Sequence, residues 1–103
     1  MVVISGSRKG DGVLFSAHFD SVSTAPGATD DGMSVVALLQ LVNFLSKNRP
    51  RRTAVFNINN GEEDGLHGAH TSVVFSYSYL PVLIGGAFQV FATSMVRFDI
   101  NFY

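Results

Sequence analysis

Apolar residues in the first part of the chain form short continuous runs and one longer run at helical spacing. Residues 2–5 are a short β-branched run and residues 13–17 are almost wholly apolar. The turn between them at residues 8–12 contains Gly and Asp, which predicts a β-hairpin. Residues 33–47 predict a helix, and the apolar run at residues 53–58 predicts a further strand. Strand, helix and strand in this order predict a βαβ unit with parallel strands and a right-handed crossover.

The predicted helix has one broad apolar face, which should pack on a sheet. Asp30 or Asp31 is expected to cap its start, with Gly32 opening the first turn. The sequence NRPRR at residues 48–52 is expected to end it, because proline stops a helix and basic groups suit its carboxyl end. The apolar face consists of Val35, Leu38, Leu39, Val42 and Leu45.

The chain changes character near His70. Of its 15 charged residues, only Arg97 and Asp99 lie beyond position 64. We therefore divide it into residues 1–70, the patterned part, and residues 71–103, an apolar aromatic tail without a linker or repeat between them.

The tail mixes several patterns. Residues 73–80 and 96–103 alternate as strands do, whereas apolar residues between 84 and 95 follow helical spacing. The charge-free residues 71–96 are long enough to cross a bilayer, but Pro81 and the glycines favour a buried core or an irregular end over a transmembrane helix.

Composition narrows the possible chemistry. A chain of 103 residues forms one domain at most, and its formal charge of −1 gives no reason to expect nucleic acid or an anionic membrane as a partner. There is no cysteine, which excludes disulfides and thiolate zinc sites, so any zinc must use His, Asp or Glu. The first residues have no signal-peptide pattern, and the start resembles the middle of a domain.

Two polar loops follow the predicted parallel strands. Residues 18–32 hold one histidine and three aspartates, and residues 60–64 read NGEED. Because the carboxyl ends of parallel strands meet at one sheet edge, we expect these groups to converge. Imidazole and carboxylates suit a hydrolytic zinc pair. Each feature also has a simpler interpretation: a core histidine with a bonded aspartate, a helix cap, and a solvated acidic loop.

His67 and His70, in the sequence GLHGAH, are expected to begin a second helix rather than to bind a metal. The two polar loops already contain enough acceptor groups without them.

The motifs HFD at residues 18–20, PGATDDG at 26–32 and NGEED at 60–64 resemble those of the zinc aminopeptidases with a co-catalytic metal pair, family 28 of the metallopeptidases. Within it, residues 13–70 are most similar to the fungal vacuolar membrane proteases. The resemblance implies an α/β fold of the three-layer sandwich type with a βαβ core, here partial and incomplete on the C-terminal side. It also implies peptide substrates, trimmed from the amino terminus, and a location at the vacuolar membrane.

The resemblance further implies a role for each site residue. His18 would bind one zinc, Glu63 the other, and Asp30 would bridge the two. Asp20 would fix the orientation of the His18 ring, and Glu62 would act as the general base. A complete site of this family holds two zinc ions, and we expect one or none here.

The family pattern also includes a later acidic ligand and a distal histidine. No histidine follows His70, and Asp99 is the only acid left as a replacement ligand. We therefore expect a fragment of a peptidase catalytic domain that is incomplete or inactive as this chain. The alternative is a non-catalytic pseudoenzyme fragment or an interaction module whose aromatic tail binds a partner or a membrane.

Overall fold

A computed structural model shows an α/β chain built on a five-stranded sheet with one long helix. The structure describes residues 1–10, 12–72, 88–92 and 97–100, the last two ranges by their backbone. Residues 67–72 are also helical, and a wide turn at Ala28–Gly32 leads into the long helix. The elements in chain order are β1 (Val2–Ile4), β2 (Gly12–His18), α1 (Met33–Lys47), β3 (Thr53–Asn59), β4 (Phe88–Ala92) and β5 (Arg97–Ile100).

The predicted pairing of parallel strands around a helix is confirmed. The strands β2 and β3 are parallel, in register from Gly12 opposite Thr53 to His18 opposite Asn59. Their side chains are largely buried, as the continuous apolar runs predict. The carboxyl ends of both strands therefore reach the same edge of the sheet.

The predicted hairpin between the first two strands is wrong. The strand β1 pairs antiparallel with β3, with Val2 opposite Phe56 and Ile4 opposite Ala54. Both edges of β2 are taken by parallel neighbours, β3 and β4, so β2 has no edge for β1.

The loop after β1 also binds the segment that precedes β3. The backbone N–H of Ser7 donates to the Pro50 carbonyl, and that of Arg8 to the Arg51 carbonyl, both at 2.9 Å. These bonds hold the loop after β1 beside the segment before β3. The turn residues at 8–12 gave no indication that this segment, about 40 residues away in sequence, is the partner.

The helix α1 packs on Ala17, Ala54 and Phe56, with Leu38 as its buried residue. The Phe56 ring also stacks on Phe15, with 5.1 Å between centroids. The prediction that Leu39 faces the core is wrong, since it is 54% exposed. Leu41 packs there instead, because it lies closer to the centre of the buried stripe. The half-buried residues that complete this contact are Val35, Leu41, Val42 and Leu45.

The predicted end of α1 is confirmed, and its predicted cap is wrong. Lys47 is its last residue, and both the backbone and side-chain nitrogens of Asn48 donate to the Phe44 carbonyl. Gly32 occupies the capping position at the start, and no side chain makes a capping hydrogen bond. The expectation of an Asp30 or Asp31 cap fails because both carboxylates lie near His18 instead.

The tail contributes two strands to the sheet. Residues 97–100 form β5, as their alternation predicts, whereas Phe88–Ala92 form β4 where helical spacing predicted a helix. This second prediction is wrong because the free edge of β2 bonds to this segment, from Gly12 opposite Phe88 to Ser16 opposite Ala92. The predicted strand at residues 73–80 lies outside the described residues, and the division at residue 70 stays a prediction.

The membrane-crossing alternative for residues 71–96 lies largely outside the described residues as well. Among the helices in the described part of the chain, none combines the length and apolar character needed to cross a bilayer.

Candidate functional site

The two polar loops meet where β2 and β3 end. His18 is the last residue of β2 and lies opposite Asn59, the last residue of β3. One residue further on, the backbone N–H of Phe19 donates to the Asn59 carbonyl at 3.0 Å. This bond extends the pairing of the strands beyond the sheet edge, so the loops that follow leave from adjacent points.

The His18 ring is buried, with 2% of the residue exposed. Its Nδ1 atom lies 3.1 Å from the backbone carbonyl oxygen of Asp20 and 3.5 Å from the Asp20 Oδ1 atom. A proton on Nδ1 would donate to that carbonyl, which would leave the Nε2 lone pair free to bind a metal. Nε2 is buried and has no hydrogen-bond partner.

Acidic groups surround this free ring nitrogen. The His18 Nε2 atom is 3.3 Å from Asp30 Oδ1 and 3.7 Å from Glu62 Oε2. His18, Asp30 and Glu63 each offer one ligand atom, and these atoms all lie within 4.8 Å of one another. The Asp30 side chain is 77% exposed, so the cluster opens to solvent on that side. An imidazole and two carboxylates at this spacing fit a divalent cation such as zinc.

The pKa of His18 is raised above its ordinary value of 6.5. Burial acts to lower it, but the Asp20 carbonyl and the carboxylates of Glu62, Asp31 and Asp20 outweigh the burial. The site therefore has an excess of negative charge that a proton on His18 partly offsets. A metal cation would offset the same charge more fully.

Asp20 joins the two loops. Its Oδ2 atom accepts a hydrogen bond from the Glu63 backbone N–H at 3.1 Å. Burial acts to raise the pKa of Asp20, yet the backbone N–H groups of Glu63 and Glu62 and the nearby His18 hold that pKa below its usual range. The same residue thus contacts the His18 ring and fixes the backbone of Glu63.

Sequence reasoning missed the contact that Asp31 makes. Asp31 is 6% exposed, and its Oδ2 atom accepts a hydrogen bond from the His18 backbone N–H at 3.3 Å. The Asp30–Asp31 peptide bond is cis, and the two carboxylates contact different parts of His18. The sequence did contain a signal for this contact in Gly32. Because glycine can itself occupy the N-cap position of a helix, neither aspartate is required as the cap.

Gly27 forms the bend that brings the end of the loop, with Asp30 and Asp31, back to His18. Its φ angle is 64°, a left-handed conformation that favours glycine, and its carbonyl accepts the Gly32 N–H at 2.9 Å. A Cβ atom on Gly27 would lie 2.6 Å from the Ser21 Cβ. Glycine at position 27 is therefore favoured for both a conformational and a packing reason.

The NGEED loop turns directly into the helical residues 67–72. The Glu62 carbonyl accepts the backbone N–H groups of Gly65 and Leu66. His67 and His70 lie in this helical segment, as predicted, and neither belongs to the three-residue cluster identified among the described residues. Gly68 lies so close to the Asn60 backbone that a Cβ atom there would overlap the Asn60 carbonyl.

Asp99 does not reach this edge of the sheet. It lies opposite Gln89 of β4, which lies opposite Val13 of β2. Val13 is about 16 Å along the strand from His18, at the usual rise per residue. The register thus excludes Asp99 as the replacement ligand that the sequence left open.

An open polar cleft lies beside the cluster, with a volume of about 450 Å³. Residues of both loops line it: Asp20, Ser21, Val22, Ser23, Asn60, Gly61, Glu63 and Asp64. The cleft shares Asp20 and Glu63 with the residues around His18, so a molecule bound in it would lie next to the candidate metal ligands.

The chain is similar in sequence to known proteases. The family model described as Peptidase family M28 matches residues 1–79. The vacuolar membrane protease of Laccaria bicolor is 65% identical over 82 residues, which cover 78% of this chain and 8% of the relative. The protein of the same name from Schizophyllum commune is 70% identical over 69 residues, covering 67% of this chain and 8% of the relative.

A third vacuolar membrane protease, from Kluyveromyces lactis, is 60% identical over 67 residues, covering 65% of this chain and 7% of the relative. This chain therefore spans less than a tenth of the length of these relatives. No solved structure matches it. The family model covers most of the chain and includes both polar loops, and the chain belongs to peptidase family M28.

Proposed function

We propose that this chain is part of the catalytic domain of a zinc-dependent aminopeptidase and carries part of its metal site. In this proposal the observed sheet and helix belong to a three-layer α/β sandwich. The observation that carries the proposal is the buried His18 Nε2 atom, which has no hydrogen-bond partner and belongs to a cluster in which the ligand atoms of His18, Asp30 and Glu63 all lie within 4.8 Å of one another. A buried polar atom without a partner is costly, and a metal ion would satisfy it.

Three residues would hold the zinc. His18 would bind one ion through Nε2, Glu63 would bind a second, and Asp30, the most exposed of the three, would bridge them. Zinc, when bound, supplies Lewis acidity and a water molecule that ionises near neutral pH. Asp20 would keep the His18 ring in place through its carbonyl oxygen and would position Glu63 through its carboxylate.

Glu62 is the candidate general base. Its side chain is 20% exposed, and its Oε2 atom lies near the same ring nitrogen of His18 as Asp30 does. Its backbone is held by the two hydrogen bonds to its carbonyl. In peptide hydrolysis Glu62 would accept a proton from the attacking water and donate it to the leaving amine nitrogen.

The substrates would be peptides bound in the polar cleft, with their amino terminus near the acidic cluster. Nucleic acid is not an expected partner. The relatives are named for the vacuolar membrane, and that name supports a vacuolar membrane location for this chain by resemblance.

A non-catalytic fragment is the second candidate, and the ligand count favours it. The cluster in the described part of the chain has three ligand residues, whereas a closed zinc site needs four ligands and a zinc pair needs more. A chain with this set would bind fewer than two zinc ions and would not hydrolyse aminoacyl anilides.

Zinc titration and anilide hydrolysis, measured on the same preparations, test the proposal. We expect zinc binding in the parent chain and in Glu62→Gln, and its loss in His18→Ala. Hydrolysis that depends on zinc and disappears in Glu62→Gln would establish the enzyme and exclude the non-catalytic alternative. Equal zinc binding by the parent chain and His18→Ala would exclude the metal site itself.

A further inference from the structure

The fold separates the charges that nearly cancel in the sequence. Six of the seven lysine and arginine residues lie at the end of the sheet where β2 and β3 begin and α1 ends. The acids of both polar loops lie at the opposite end. We call the first region the basic face, and its members are Arg8, Lys9, Lys47, Arg49, Arg51 and Arg52.

Two segments of the chain, residues 5–10 and 47–53, build the basic face, and hydrogen bonds fix them together. Arg49 donates from Nε to the Ser5 carbonyl at 3.2 Å and from Nη2 to the Gly6 carbonyl at 2.9 Å. The Gly6 N–H donates to the Thr53 hydroxyl at 3.1 Å. Together with the bonds from Ser7 and Arg8 to residues 50 and 51, these contacts make one platform of the loop after β1 and the segment before β3.

All six basic side chains of this platform are exposed. No acidic residue occurs in its described segments, residues 5–10 and 47–53. Asp11 lies outside the described residues, and Asp99 lies in register with Val13 near the start of β2, so at most two acids adjoin these six cations. The face thus has a strong positive charge although the formal charge of the chain is −1.

We propose that the basic face binds a membrane surface of anionic lipid headgroups and that the acidic metal edge then points away from the membrane. The cations are spread over two segments of a fixed platform rather than gathered in a pocket, which suits a layer of phosphates better than a single anion. Phe44, in the last turn of α1, is 58% exposed and adds an aromatic side chain of the kind that interfacial binding uses. Attraction of each lysine or arginine to such a surface is additive and is screened by salt.

This inference does not depend on the proposed peptidase activity. It also changes what the composition implies. The formal charge gave no reason to expect an anionic membrane, but the total hides two opposed regions at the two ends of the parallel strands. A charged membrane surface interacts mainly with the part of the protein nearest to it, because salt screens charges beyond about 10 Å.

Sedimentation with lipid vesicles tests the proposal on the full chain. The vesicles contain phosphatidylcholine with or without phosphatidylserine, and EDTA is present so that no metal links the acidic edge to the lipid. We expect binding to the phosphatidylserine vesicles that weakens steeply with salt. The double variant Lys9→Glu and Arg51→Glu should bind at least about tenfold more weakly.

The matched control is the double variant Lys9→Arg and Arg51→Lys, which keeps the charge and should bind as the parent chain does. Circular dichroism checks that both variants fold. Equal binding to the two kinds of vesicle, or no weakening in the charge-reversed variant, would overturn the proposal. Saturable binding of a short oligonucleotide at concentrations where the vesicles do not bind would assign the face to nucleic acid and would also overturn it.

Discussion

The two ends of the parallel strands carry opposite charges in opposite settings. At the carboxyl end, Asp31 is buried, Asp20 and Glu62 are largely covered, and all lie around one buried imidazole. At the amino end, six exposed cations lie on a platform that hydrogen bonds hold together. The two ends contain similar numbers of charges, but only the carboxyl end forces its charged groups out of water and close to one another.

This difference separates charges that are crowded in a covered site from charges that lie exposed at the surface. Like charges brought together in a covered site repel one another, and a cation relieves that repulsion. Exposed cations are solvated, and their replacement changes stability little. The comparison therefore predicts large effects of substitution on metal binding at the carboxyl end and small effects on folding at the amino end.

The largest effect should come from His18→Ala. His18 is the only nitrogen ligand in the cluster. Loss of a residue that merely orients a metal ligand weakens metal binding by up to about 100-fold, so loss of His18 itself should weaken zinc binding by more than that. Competition with a coloured chelator measures the affinity. The control is His70→Ala, in the exposed helical residue, which should bind zinc as the parent chain does. Similar losses in both variants would contradict the site.

Asp20→Asn should weaken zinc binding by about 10- to 100-fold. The amide oxygen can still accept the Glu63 N–H, so the loop connection persists, but the negative charge beside the His18 ring is lost. Titration with zinc and a thermal melt, on the same sample, separate affinity from folding. A variant that melts like the parent chain and also binds zinc equally well would show that the Asp20 carboxylate does not strengthen zinc binding through the His18 ring.

Gly68→Ala should lower the free energy of unfolding by about 1–3 kcal/mol, as an overpacked position does. The new Cβ atom would overlap the Asn60 carbonyl, so the helical residues 67–72 would have to move away from the NGEED loop. Denaturant unfolding measures the loss. His70→Ala in the same segment should stay within about 0.5 kcal/mol of the parent chain. An unchanged Gly68→Ala would refute the close approach.

A pH effect of intermediate size should follow from His18. Because its pKa is raised on folding, protonated His18 stabilises the metal-free chain, fully below pH 6.5 and less as the pH rises through the folded-state pKa. Zinc binding needs the neutral ring and should strengthen over that range. Unfolding and zinc titrations at several pH values test both trends. The stability trend should be weaker in His18→Gln, and an identical trend there would assign it to another group.

The smallest effects should occur at the basic face. Lys9→Gln should change the free energy of unfolding by no more than about 0.5 kcal/mol, because the side chain is exposed. Arg49→Gln should cost about 1 kcal/mol, because it removes two hydrogen bonds to backbone carbonyls. Chemical denaturation of both variants measures the difference. A larger loss for Lys9→Gln than for Arg49→Gln would reverse the assignment of Arg49 as the residue that ties the platform together.

The central βαβ unit could be predicted from the sequence because each part has a strong local signal. The strands β2 and β3 are apolar runs covered on both faces, and α1 repeats its apolar residues at helical spacing. The partner of β1 could not be predicted, because its pairing with residues 54–56 depends on distant backbone hydrogen bonds. The strand Phe88–Ala92 was missed because an almost wholly apolar stretch fits both the helical and the strand period. Pairing with the free edge of β2 makes it a strand.

The candidate site could be predicted in part. The strand ends place the two acidic loops at one edge, but sequence reasoning from the residues alone does not distinguish Asp30 from Asp31. Only the bend around Gly27 and Gly32 directs Asp30 to the His18 ring and Asp31 to the His18 backbone. The closest acceptor for the ring is likewise the Asp20 carbonyl rather than the expected carboxylate, which is a detail of loop geometry.

Zinc stoichiometry of the full chain, measured by equilibrium dialysis at neutral pH beside His18→Ala, tests the central claim most directly. The three-residue cluster predicts zinc bound at fewer than two ions per chain, with none retained by the variant. Equal zinc content in the parent chain and His18→Ala would contradict the claim that the buried, unpartnered Nε2 atom of His18 marks a metal site.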